Sequence, residues 1–132
     1  MNPKPEPSPK KKKSRAQQKR EVIAWLHENF PNRNNISFMK VDDHFIKVYN
    51  KQGEYLIIWT SLCMMLSVLD HKIFYMAYRS YIINIYDVKD HCADSSGGLF
   101  IMSKDAKIPL TTKRYNKLKK LIPVSPTATV SI

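Results

Sequence analysis

Three places in this chain set a polar side chain directly against apolar neighbours. His44 follows Asp42-Asp43 at the end of an apolar stretch, Arg79 stands inside Phe74-Tyr75-Met76-Ala77-Tyr78-Arg79-Ser80-Tyr81, and Lys113-Arg114 precedes Tyr115. Asp42-Asp43-His44 raises metal or acid/base chemistry. Successive side chains of a strand point to opposite faces, so only two of the three can converge. The chain has four histidines, and none stands at an HxH or HxxxH spacing. No metal site is expected. The serines and the two cysteines, Cys63 and Cys92, lack a base partner or a nucleophile-elbow motif. Three glycines cannot make a glycine-rich phosphate loop. No catalytic residue and no cofactor is therefore expected, and the chain is not read as an enzyme.

Binding remains. An imidazole can donate or accept at a base edge, and a guanidinium can meet guanine O6 and N7 with two hydrogen bonds. Arg79 either sits in a buried ion pair or turns outward. Ser80 and Asn84 just after it are the short polar residues that a turn uses, which favours the outward reading. For His44, a turn histidine without a partner is the plain alternative. For Lys113-Arg114 it is a solvated helix start, although the helix dipole disfavours cations there.

The charge points the same way. The chain of 132 residues carries a formal net charge of +11. Residues 1–20 hold eight Lys or Arg against one Glu, and residues 104–120 hold seven against Asp105 alone. A polyanion suits such a distribution, since neutralising phosphates releases counterions. The cysteines match no zinc or CxxC spacing, consistent with a reduced cytoplasmic protein. Neither a signal peptide nor a run of ~18–20 apolar residues is present, so no membrane association is expected.

The elements that position these residues follow from periodicity. Residues 1–14 alternate Pro with polar residues and include four consecutive lysines, which reads as a disordered basic arm. Residues 15–31 read as an amphipathic helix capped by Ser14 and stopped by Pro31, with Val22, Ile23, Leu26 and Phe30 on one side and Trp25 near its edge. That stripe packs either on the domain or on a second copy. Proline is absent from 32 to 107, which suits continuous sheet pairing. Strands are expected at 36–41, 45–49, 55–60 and 73–78, with turns at Asp42-Asp43 and Asn50-Lys51-Gln52-Gly53. Leu62, Met65, Leu66 and Leu69 mark a short helix capped by Thr60 or Ser61. Residues 81–88 read as a buried connection and Ser95-Ser96-Gly97-Gly98 as a turn. Residues 99–102 and 107–110 read as a hairpin. Thr111 or Thr112 caps a last helix with Tyr115, Leu118, Leu121 and Ile122 inward, and residues 123–132 form a flexible tail. The fold class expected is mostly β with a short internal helix, a C-terminal helix and an added N-terminal helix.

Over residues 35–122 the sequence resembles the LytTR family of DNA-binding domains. Ile36 to Val41 followed by Asp43-His44-Phe45-Ile46-Lys47-Val48 is similar to the family's opening strand pair, and Ser61-Leu62 to the start of its short helix. Phe74 through Arg79-Ser80-Tyr81-Ile82-Ile83-Asn84 resembles its signature, Phe-x-Arg-x-His-Arg-Ser-Tyr-hydrophobic-hydrophobic-Asn. Gly98 to Met102, Ile108-Pro109-Leu110 and Arg114-Tyr115 resemble the closing hairpin and the start of its last helix. Met76 and Tyr78 depart from the signature's Arg and His. Pro109 to Tyr115 is one residue longer than usual.

The resemblance implies an elongated, ten-stranded fold that lays loops into successive major grooves of double-stranded DNA, typically at direct repeats. Base contacts carry over to His44, Arg79 and one of Lys113 or Arg114. Ser80, Lys117, Lys119 and Lys120 are the candidates for phosphate contacts. The family typically follows a receiver domain in bacterial response regulators; with about 34 residues before the resembling region, none is expected here. The expectation is a stand-alone, cytoplasmic transcriptional regulator, with the helix at 15–30 serving a homodimer or a partner protein. The alternative is a protein–protein adaptor whose degenerate LytTR fold no longer binds specific DNA.

Overall fold

The structure, a computed structural model, describes residues 13–123. Most of the expected basic arm, and the tail after Pro123, lie outside the described residues. Helix α1 (Arg15–Asn29) begins where Ser14 Oγ accepts the Gln17 N–H at 3.1 Å. Pro31 lacks the N–H that would extend it. The apolar stripe docks on the chain's own core, where Val22, Leu26 and Phe30 are buried. Ile23 lies outside the stripe and is exposed, while Trp25 packs against the core.

Five strands form the central sheet in the order β3-β2-β1-β5-β4: β1 (Ile36–Asp42), β2 (Phe45–Asn50), β3 (Tyr55–Ile58), β4 (Phe74–Tyr78) and β5 (Tyr81–Asn84). All neighbouring pairs are antiparallel. The period-two pattern divides its faces. Met39, Ile46, Val48, Ile58 and Ile82 face α1 and α2 (Leu62–Val68). Phe38, Ala77 and Ile83 face a second core with Phe100, Met102, Ile108, Leu110, Tyr115 and Leu118. Those last residues come from a small sheet, from Met102 just after its middle strand, and from helix α3 (Thr112–Leu118). The small sheet has the order β6-β7-β8, with β6 (Asp90–Asp94), β7 (Gly97–Ile101) and β8 (Lys107–Leu110). Ser61 Oγ caps α2 and Thr111 Oγ1 caps α3.

The described residues hold eight strands, fewer than the resemblance implies. Residues 81–84 are a strand, not a connection. Ile82 and Ile83 are both fully buried because both sheet faces are covered there, so no alternation reveals the strand. Strand β6 escapes notice for the opposite reason: all five of its residues are exposed and mostly polar. Gly97 and Gly98 belong to β7, and the turn is Ser95-Ser96, with Asp94 Oδ1 accepting the N–H groups of Ser96 and Gly97. A bond from the Ser96 hydroxyl, with those two from the amides, holds the Asp94 carboxyl below its ordinary value. Leu121 is exposed, since the helix passes into a 3-10 turn before reaching it.

A buried carboxylate ties the two sheets together. Asp87, fully buried after β5, accepts from Ser37 Oγ at 2.5 Å and from the Ser103 amide and hydroxyl at 3.1 and 2.6 Å. Ser37 sits at a register shift in β1, and the irregularity turns its hydroxyl inward. Asn84, also fully buried, donates to Ile36 O at 2.8 Å and accepts the Tyr86 N–H. Each is a buried polar group with its partners present, as burial requires.

Candidate nucleic-acid interface

Antiparallel register decides which turns share an end. Asp42 pairs with Phe45, so Asp43-His44 closes β1 onto β2. Asp43 has φ 63°, a left-handed conformation that Asp tolerates. Lys40 pairs with Tyr81, and the Val41 N–H donates to Ser80 O at 2.9 Å. The Arg79-Ser80 turn between β4 and β5 therefore stands beside the His44 turn at one end of the sheet. The centres of the two hairpins are two strands apart, roughly 10 Å.

The third tip joins them through a hydrogen bond. Arg114 Nη1 donates to Met76 O at 3.0 Å. Met76 is two residues from the end of β4, at a register shift that leaves Ala77 buried in the second core. The first turn of α3 is thus fastened to β4 near the Arg79 turn, and Lys113 and Arg114 arrive at the same end as His44 and Arg79.

The side chains differ in freedom. His44 is 83% exposed, with Nε2 3.6 Å from Asp43 Oδ1. Asp42 turns away to Lys47 at 3.1 Å, so Asp42, Asp43 and His44 do not converge. Arg79 is exposed, and no carboxylate among the described residues pairs with it. Of the two readings of Arg79, the outward one holds. Lys113 is exposed, whereas the Arg114 guanidinium is partly committed to the Met76 carbonyl. Lys117 continues the exposed side of α3 that Lys113 begins, and Lys120 is exposed in the 3-10 turn that follows. Lys119 lies over the Tyr115 ring with Nζ 5.2 Å from its centre. Ser80 is half-buried, with its carbonyl held by Val41.

Two further lysines lie on the same side of the sheet and are missed by a reading of single strands. Lys40 and Lys47 are cross-strand partners. Lys40 Nζ lies 5.8 Å from the Tyr81 ring centre, and Lys47 Nζ lies 4.9 Å from that of Tyr55. The hydrogen bond from Lys47 to Asp42 raises the ammonium pKa above its ordinary value. The alternation of Phe45, Lys47 and Tyr49 carries this signal, once Phe38, Lys40 and Asp42 are set opposite in register.

The model of the LytTr DNA-binding domain family matches residues 30–123. A solved LytTr DNA-binding domain from Bacillus cereus, from a protein described as a methyl-accepting/DNA response regulator, superposes with a TM-score of 0.59 at 20% identity. The match covers 68% of this chain and 83% of that one, and at this identity it speaks for the fold. No curated protein matches the sequence. The chain belongs to the LytTR family of DNA-binding domains. No helix among the described residues is long and apolar enough to cross a membrane.

Proposed function

We propose that this protein is a sequence-specific transcriptional regulator of double-stranded DNA, working in the bacterial cytoplasm without a cofactor. His44, Arg79 and one of Lys113 or Arg114 meet base edges in the major groove. Ser80, Lys117, Lys119 and Lys120 meet phosphates, and the lysines of the N-terminal arm add attraction for any duplex. The binding sites are direct repeats, as the family resemblance implies. The domain unit is residues 35–122, with helix α1 added in front.

The observation that carries this reading is the gathering of three polar tips at one end of a rigid sheet, with Arg79 extended into solvent. A base-reading guanidinium must be free and aimed, and a two-residue turn between paired strands does both. An adaptor role finds less support. The amphipathic helix that would dock a partner has its stripe buried in the chain's own core.

A selection of bound sequences from random duplex supplies the operator, and mobility shifts then compare operator with random DNA. Arg79→Ala is expected to weaken operator binding by ~1–3 kcal/mol and to relax preference at one base pair. Alanine at lysines 10–13 is expected to weaken operator and random duplex alike and to flatten the salt dependence. Equal behaviour of the two variants on both duplexes would remove base reading by Arg79.

A further inference from the structure

Trp59 is 71% exposed, the most exposed large apolar side chain in the described structure. It is nevertheless held. Its ring stands edge-on to Phe45, with centroids 5.1 Å apart and planes at 63°. Ile58 before it is buried opposite Ile46, and Ser61 two residues later caps α2. An indole fixed on both sides and bare on its outer face has a position without an internal function.

That position is informative. Strand β3 runs antiparallel to β2, and Ile58 pairs with Ile46. The residue after Ile58 therefore lies at the end where β2 begins, beside Phe45, which directly follows His44. Trp59 stands on the flank of the His44 turn, across the sheet from α3. The depression under it, between α1 and the end of β3, is also lined by Trp25, Thr60 and Lys13, the last of the four consecutive lysines. Lys13 pairs there with Glu21 at 2.7 Å. An occupant of this margin meets an aromatic face, an indole N–H and a lysine whose charge is shared with Glu21. A sugar–phosphate backbone offers the matching groups.

We propose that Trp59 is a fourth DNA contact. Its ring lies against a deoxyribose of the strand bordering the groove that His44 enters, and its Nε1–H donates to a phosphate oxygen. Trp suits this, being apolar over its face and a donor at one edge. The inference rests on the DNA-binding reading above and extends its footprint by one strand of the sheet. The contact carries no charge and releases no counterion, so it adds affinity without steepening the salt dependence.

The test uses the full chain with Trp25→Phe, which leaves Trp59 as the sole indole emitter, and random-sequence duplex as the probe. Duplex is expected to shield Trp59 emission from acrylamide. Trp59→Ala is expected to weaken duplex binding about fivefold, as loss of one hydrogen bond with its packing would, at an unchanged salt slope. Trp59→Phe, which keeps the packing on Phe45 and lacks the N–H, falls between. Bound duplex that leaves Trp59 as accessible as in the free chain overturns the proposal, and so does a Trp59→Ala variant that binds equally well. Shielding that grows with protein concentration without DNA overturns it in favour of contact between copies. A chain that binds no duplex at all is a separate result, which removes the DNA-binding reading itself and this contact with it.

Discussion

The central sheet has two edges, and the chain treats them differently. The β4 edge is covered: β8 and α3 lie against it, Arg114 occupies the Met76 carbonyl, and an irregularity turns Ala77 inward. The β3 edge is bare. Tyr55, Leu56 and Ile57 are 47%, 45% and 43% exposed, and the strand contains neither a charge nor a proline. Free edges are usually blunted by charge, a bulge or a cover, because unpaired N–H and C=O groups invite other strands. Strand β4 uses two of these devices, whereas β3 relies on being four residues long. The difference teaches what the cover is for. Without α3 and its tie, the basic residues at 113–120 would have no fixed relation to Arg79. The covered edge joins separate tips into one surface.

The cover can be broken most severely at Gly98. A β-carbon there would lie 2.2 Å from Cδ1 of Tyr115, whose ring also packs on Phe100 and whose hydroxyl meets His91 Nδ1 at 2.8 Å. This glycine is required by close approach to the ring. Gly98→Ala must push Tyr115, and α3 with it, away from β7. A loss of about 3 kcal/mol is expected, the upper end for overpacking, measured by urea unfolding. Specific DNA binding should fall with it. A variant as stable as the parent would show that α3 adjusts freely, and the contrast between the edges would lose its meaning.

A smaller effect separates Arg114 from Lys113. Arg114→Ala removes the tie to Met76 and should cost about 1 kcal/mol of stability, since a hydrogen bond from a charged donor is weakened by solvent here. Lys113→Ala should leave the unfolding curve unchanged and weaken duplex binding alone. If only Arg114 mattered for binding, and Lys113 for nothing, the base-reading role would fall to the arginine despite its bond to Met76.

Much of the positioning framework is legible in the sequence, and the reasons are physical. Ser14, the pair Thr60-Ser61 and the pair Thr111-Thr112 announce helix starts because a short hydroxyl can satisfy an orphan N–H, and Ser14, Ser61 and Thr111 do so. The Arg79 turn is legible because a charge inside an apolar run has one comfortable exit. The strand at 81–84 is hidden because burial on both faces erases alternation, and Asp90–Asp94 because exposure on both sides does the same. The bond from Arg114 to Met76 spans 38 positions and rests on an irregularity in β4, which no local pattern encodes. Trp59 is visible as a residue, yet its place beside His44 requires the pairing of Ile58 with Ile46. Registers, more than elements, are what single-sequence periodicity fails to supply.

The smallest expected effect tests the bare edge. Ile57 lies opposite Lys47 in register, on the edge strand that also carries Tyr55 under the Lys47 ammonium. Its side chain is already 43% exposed, so Ile57→Lys removes little buried area and should change unfolding stability by less than about 0.5 kcal/mol. The added charge should act on association instead: a lysine on an edge strand disfavours pairing with a second chain. Light scattering on heating is therefore expected to rise later for Ile57→Lys than for the parent, with the two unfolding curves superimposed. Operator binding should be retained or slightly strengthened, since the new charge lies on the basic side of the sheet. A large loss of stability would mean that Ile57 packs against something other than solvent. The β3 edge would then be covered like β4, and the asymmetry between the two edges would disappear.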